Sequence, residues 1–154
     1  MGKNTTAINP HSNSQVFGQI PEIKVKKFLF QSGPIFLKEG IHRRGSGAFG
    51  IKHILGRHKK DLINQGYCER CEKSGAMLVP YEMVSRYVAD IIRPNSTLHS
   101  DFENIAGSKI QISKRGVGIA VVQAKTDGAG NCFYSVVTAY PGQAKGSKFG
   151  ALAE

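Results

Sequence analysis

Acidic residues are the scarcest charged class in this chain: 11 Asp and Glu stand against 21 Lys and Arg, and tryptophan is missing altogether. The resulting formal charge of +10 favours a polyanionic partner, because each phosphate neutralised by a cation releases condensed counterions. Nucleic acid is the first such partner, and a solvated basic face with no partner is the competing reading. An anionic membrane fits less well, since no basic amphipathic helix carries exposed aromatic residues on its other face. Three cysteines are too few, and odd in number, for a disulfide framework, which points to a reducing working compartment such as the cytosol. No apolar run approaches the roughly 20 residues of a membrane span, and the opening MGKNTTAINPHSNSQ lacks the apolar centre of a signal peptide. Paired carboxylates at nuclease-metal spacing are lacking near the histidines, which argues against two-metal phosphodiester chemistry. Neither a dinucleotide fingerprint nor a Walker loop occurs, so no nucleotide cofactor is expected.

What is present suffices for one folded domain: 154 residues, 40% of them hydrophobic, are enough to bury a core without staples. Residues 1–15, rich in Asn, Ser and Thr, read as a flexible lead-in, and 16–154 as a single domain. Two apolar runs follow, IKVKKFLF and PIFLKE, split by Ser32-Gly33-Pro34; the first suits a short helix or a strand and the second an extended segment. The stretch HRRGSGAFG, His42 to Gly50, reads as a basic mobile loop able to approach a phosphate backbone.

A helix is expected from about Ile51 to Asn64, with Ile51, Ile54, Leu55 and Leu62 on the core side and Gly66 as a stop. On it, His58 shares the apolar stripe while His53, Arg57 and Lys60 lie round the other side; Gly56 costs the helix roughly 1 kcal/mol against alanine. A second, core helix follows Pro80, its stripe made by Met83, Val84, Tyr87, Val88, Ile91 and Ile92 and closed by Pro94-Asn95. After a polar loop, KIQIS (109–113), VGIAVVQA (117–124) and NCFYSVVTAYP (131–141) read as strands joined by glycine-bearing connectors, hence an antiparallel meander. The expected class is α+β: N-terminal helices packed on one face of a C-terminal antiparallel sheet.

CERC, Cys68 to Cys71, has half the spacing of a zinc site, but no second pair follows and Cys132 lies within a strand; completion by His53 and His58 would need a coincidence of the fold. No metal is assigned. Metal-independent RNA cleavage remains. It needs a base for the 2′-hydroxyl, an acid for the leaving 5′-oxygen and cations for the phosphate. Histidine suits both proton roles near neutrality, arginine offers forked donors, and hydroxyls donate without deprotonation. Thr138 and Tyr140, two apart in a strand, share one face; that spacing also describes a cross-strand packing pair, as His58 on its stripe describes a hydrogen-bonded core histidine.

HILGRHKKDL combined with a closing VVTAYP strand resembles bacterial toxin ribonucleases of the barnase–EndoU–colicin–RelE superfamily, RNase A-like relatives included, and particularly the C-terminal toxin domains of contact-dependent growth inhibition and other polymorphic toxin systems. The resemblance runs from about Gly40 to Gly142. It implies an RNA substrate, often tRNA, no metal, and a cognate immunity protein. It further implies a domain delivered as part of a larger secreted or cell-surface protein to act in the target-cell cytoplasm. Carried over, the catalytic candidates are His58, His53, Arg57, Thr138 and Tyr140. CERC and GSGAFG match no part of the pattern. Arg43, Arg44, Lys59 and Lys60, the densest basic cluster, are expected to meet RNA and an acidic immunity protein. The alternative is a non-catalytic basic RNA-binding domain, for which the charge and exposed aromatics suffice.

Overall fold

The computed structural model describes residues 2–25, 27–44, 47–102 and 109–152. Lys26 of the first apolar run, Gly45 and Ser46 of the basic loop, and residues 103–108 of the polar loop lie outside the described residues, as do 1, 153 and 154.

Four short strands come first, β1 (Gly18–Ile20), β2 (Ile23–Val25), β3 (Phe28–Phe30) and β4 (Gly33–Phe36), followed by helix α1 (Gly50–Asn64). A two-stranded ribbon of β5 (Glu69–Arg70) and β6 (Met77–Leu78) leads to α2 (Tyr81–Ile91). The chain closes with β7 (Thr97–Ser100), β8 (Lys109–Lys114), β9 (Gly118–Thr126), β10 (Cys132–Tyr140) and β11 (Ser147–Ala151). The class is α+β, but the expected order is corrected: strands precede the helices, which sit in mid-chain. The sheet is corrected too. It has seven strands in the order β1-β4-β10-β9-β8-β7-β11, and β4 runs parallel to β10, so the meander β7-β8-β9-β10 is only part of a mixed sheet. Strands of three or four residues carry too few alternations to be recognised by period, and a parallel pairing across about a hundred residues leaves no local trace.

Both helices and the strands β8, β9 and β10 form over the residues expected for them. Apolar residues of α1 (Ile54, Leu62) and α2 (Val84, Tyr87, Val88, Ile91) are fully buried against Ile110, Ile112, Ala120, Val122, Tyr134 and Val136 of the sheet. Two buried tyrosines tie their hydroxyls down, Tyr87 to the Val117 carbonyl at 3.0 Å and Tyr134 to the Gln31 carbonyl at 2.7 Å, so their rings add apolar area without an unpaired polar tip. Gly66 does stop α1, at φ +88°, and Pro80 is the residue just before α2. Within the stretch read as a lead-in, Ala7 N–H donates to the Leu37 carbonyl at 2.7 Å and the Thr5 carbonyl accepts from Glu39 N–H at 2.8 Å, which lays the segment along the continuation of β4. Among the described residues no helix is long and apolar enough to cross a membrane.

The start of α1 accounts for the two glycines, Gly40 and Gly50, that bracket the basic loop. Its first residue is preceded by Phe49, which offers no side-chain cap; the Lys38 and Glu39 carbonyls instead accept from Ile51 and Lys52 N–H at 3.0 and 2.9 Å, satisfying donors that a helix start leaves open. That docking demands close backbone approach. Gly40 has φ +76° and a Cβ there would overlap the Phe49 carbonyl oxygen. Gly40→Ala is therefore expected to lower stability by more than the ~1 kcal/mol on which point substitutions centre, measurable as a fall in thermal midpoint, with α1 and the loop before it loosened together.

Candidate active site

Residues 41 and 49 close a loop, Ile41 and Phe49 exchanging both backbone hydrogen bonds at 3.0 Å. The loop returns His42 onto α1, where its ring lies over Gly56 so closely that any Cβ at 56 would overlap it. There His42 Nδ1 meets His53 Nδ1 at 3.1 Å, with ring centroids 5.2 Å apart. One nitrogen has to donate and the other accept, so the contact cannot survive protonation of both rings. Gly56, charged to the helix as a cost, is thus the seat of a second histidine. His42 was not among the expected site residues; the spacing Gly40, His42, Gly50, Gly56 was its signal, legible only once the loop was known to close.

α1 departs from helical geometry at His58 (φ −129°, ψ 21°), two residues beyond Gly56. The turn carries His58 onto Tyr140: the rings stack with centroids 5.0 Å apart and planes at 24°. His58 Nδ1 lies 2.9 Å from Asp61 Oδ2. An ionised carboxylate accepts only, so Nδ1 carries the proton and Nε2 is left as the free nitrogen. His58 is therefore the half-buried, carboxylate-oriented histidine of the three.

The face on which Tyr140 sits is decided by a bulge. Tyr134 and Val136 point into the core, and strict alternation would send Thr138 after them. Between Val136 and Thr138 the register shifts by one, Val136 facing Val122 and Thr138 facing Val121, so Ala139 enters the core while Thr138 and Tyr140 turn to the opposite face. Beyond Ser135 β10 is no longer paired with β4, and α1 lies against it. The Thr138 hydroxyl is buried and has no hydrogen-bond partner among the described residues.

Of the residues read from the sequence, the structure brings His58 and Tyr140 into contact, with Thr138 on the same strand face. His53 and Arg57 stand one turn apart on α1, near enough for Arg57 and His58 to act electrostatically on His53. Arg43, Arg44, Lys59 and Lys60 are exposed on the loop and helix around them. The remaining histidines are elsewhere: His11 bonds Asp90 at 2.6 Å. His99 Nε2 bonds the Thr97 hydroxyl at 3.1 Å, three strands and roughly 14 Å from Thr138 at the usual strand spacing. Among the described residues no three His, Cys, Asp or Glu side chains are placed to hold a metal ion. Cys68 and Cys71 flank β5, Cys71 N–H donating to the Ala76 carbonyl at 2.8 Å.

Burial lowers the pKa of His53 below its ordinary 6.5, and the neighbouring His42, Arg57 and His58 lower it further. His99 is lowered likewise, by burial and then by Lys148. A base whose folded pKa is depressed binds fewer protons folded than unfolded. The stability it contributes is complete above 6.5 and is lost as pH falls through that value toward the folded pKa. The thermal midpoint is thus expected to drop between pH 7 and 5. His42→Ala and Gly56→Ala should each move the His53 titration, followed by NMR, upward toward 6.5. Gly56→Ala should do so without loss of stability, because alanine favours the helix while only the His42 ring has to move.

Compared with protein-family models, with curated proteins and with solved structures, the chain matches none.

Proposed function

We propose that this chain is a metal-independent RNA endonuclease toxin, and the observation that carries the reading is the stack of His58 on Tyr140 beside Thr138, with His53, His42 and Arg57 on the adjoining helix and loop. His58, oriented by Asp61, and His53, whose pKa is lowered by burial and then by His42, Arg57 and His58, are the two proton carriers. One, as the neutral imidazole, removes the 2′-hydroxyl proton as that oxygen attacks phosphorus; the other, protonated on both ring nitrogens, gives one of those protons to the 5′-oxygen as the P–O5′ bond breaks, leaving a 2′,3′-cyclic phosphate. Arg57 holds the phosphate while charge builds, and the Thr138 and Tyr140 hydroxyls donate to its oxygens. The expected substrate is tRNA in the cytoplasm of a target bacterium, reached as part of a larger delivered protein. Total RNA incubated with the purified protein in EDTA should be cut. Salt-sensitive binding without strand scission would instead assign the chain to non-catalytic RNA binding.

The same reading requires a cognate immunity protein, acidic so as to meet the basic cluster Arg43, Arg44, Arg57, Lys59 and Lys60, and fast to associate because the charges steer it. Reversing Arg43 and Arg44 together to Glu is expected to weaken RNA and inhibitor binding in parallel, most at low salt. Inhibitor affinity unchanged across a salt series would place the inhibitor elsewhere.

A further inference from the structure

The face of the sheet that carries Thr138 and Tyr140 continues toward the other end of β10. In a sheet, directly paired residues share a face. Ser135 pairs with Gln123 and Phe133 with Lys125, and Gln123 in turn pairs with Lys109. Lys38, just past β4, sets its Nζ 5.0 Å from the Phe133 ring centroid, and the Phe36 ring lies 5.9 Å from that of Phe133. Lys3, Lys38, Lys109, Lys125, Phe133 and Ser135 surround a cleft of about 400 Å³, behind whose aromatic ring Phe36 packs. Among the described residues no acidic side chain lines it, and none of Lys3, Lys38, Lys109 and Lys125 enters an ion pair. Among the described residues these four cations have no acidic partner, only Lys38 meets the Phe133 ring, and mutual repulsion opposes bringing them together.

An aromatic platform among cations is what binds a single nucleic-acid strand, with a base on the ring and phosphates on the lysines. We infer that the Phe133 cleft is a subsite for single-stranded RNA that binds a nucleotide flanking the scissile phosphate, an inference that rests on the ribonuclease reading of the neighbouring site. Ser135, at the cleft's edge, is three residues along β10 from Thr138, roughly 10 Å at ~3.3 Å per residue, so a short oligonucleotide spans both. The cleft selects for an unpaired strand, because a base held in a duplex cannot reach the ring.

The test uses the full chain and a fluorescent 2′-O-methyl RNA octamer, which lacks the attacking hydroxyl and is not cut. By polarisation, Phe133→Ala should raise Kd at least about fivefold, the lower end of losses on removing one stacked base. Phe133→Leu, which keeps an apolar side chain and guards against misfolding, should raise it as well. Changing Lys109 and Lys125 to Gln should flatten the plot of log K against log salt by about 0.7 for each phosphate contact removed. A duplex should compete poorly. Unchanged Kd in both Phe133 variants, or equal competition by duplex, would overturn the subsite. So would loss of immunity-protein binding in Phe133→Ala with octamer affinity retained, which would give the cleft to the protein partner. Scission of natural RNA, scored separately, reports on the catalytic reading alone.

Discussion

His58→Ala is expected to lower the rate of RNA cleavage by ~10²–10⁴-fold, the usual worth of a positioned proton carrier, while leaving the thermal midpoint within a few degrees. The first part follows from geometry. His58 is stacked on Tyr140 at 5.0 Å, its Nδ1 is committed to Asp61 at 2.9 Å, and Nε2 remains for substrate. The second part follows from its surroundings: the side chain is one-fifth exposed and its partner Asp61 nearly half exposed, so alanine strands no charge in the core and hydrates the carboxylate that loses its bond. Initial rates on an RNA oligonucleotide, with a melting curve for each protein, decide the matter. Cleavage within twofold of the parent would remove His58 from proton transfer and leave it a packing residue of the helix–sheet joint.

Thr138→Val should separate stability from activity. A buried hydroxyl without a partner costs about 1–3 kcal/mol of desolvation that nothing returns, and valine keeps the branched shape while removing that oxygen. The variant is expected to be more stable, by ~2–4 °C in thermal midpoint for each kcal/mol gained in a chain of this size. Cleavage should nevertheless fall by as much as ~10²-fold, comparable to deleting one donor to a developing phosphate or oxyanion charge. Both readouts are needed. Higher stability with undiminished cleavage would make Thr138 a residue of the sheet surface and would leave Tyr140 as the strand's sole contribution to the site.

Much of the site was legible in one dimension, for reasons specific to each residue. Gly50 to Asn64 showed its helix by the recurrence of Ile51, Ile54, Leu55 and Leu62, three of which are buried as that spacing requires. Thr138 and Tyr140 share a face because a strand alternates. His42 was passed over because its role depends on two glycines. Gly40 lets the loop close and Gly56 leaves room for a ring, and neither contact is a property of neighbouring residues in sequence. Of the early strands, β2 and β3 lie in the run read as helix or strand and β4 overlaps the run read as extended, while β1 was missed; three or four residues each are too few to show a period. β7 and β11, which pair with one another at Thr97–Ser100 and Ser147–Ala151, were hidden for a different reason: His99, Lys148 and Gly150 interrupt any apolar run.

By itself the sequence determined the basic charge, the two amphipathic helices, the three long strands of the meander and the chemical kinds of side chain available to a site. Each depends on composition or on a period of 3.6 or 2.0 that neighbouring residues express without help. Only the tertiary structure decided which of those side chains meet. The extra residue at Val137 turned Thr138 and Tyr140 out of the core, the break in α1 at His58 swung that ring over Tyr140, and the parallel pairing of β4 with β10 set the loop that returns His42 to the helix. Such events are settled by packing between segments far apart in the chain. A one-residue shift of register moves every following side chain to the other face, and no local pattern records that shift.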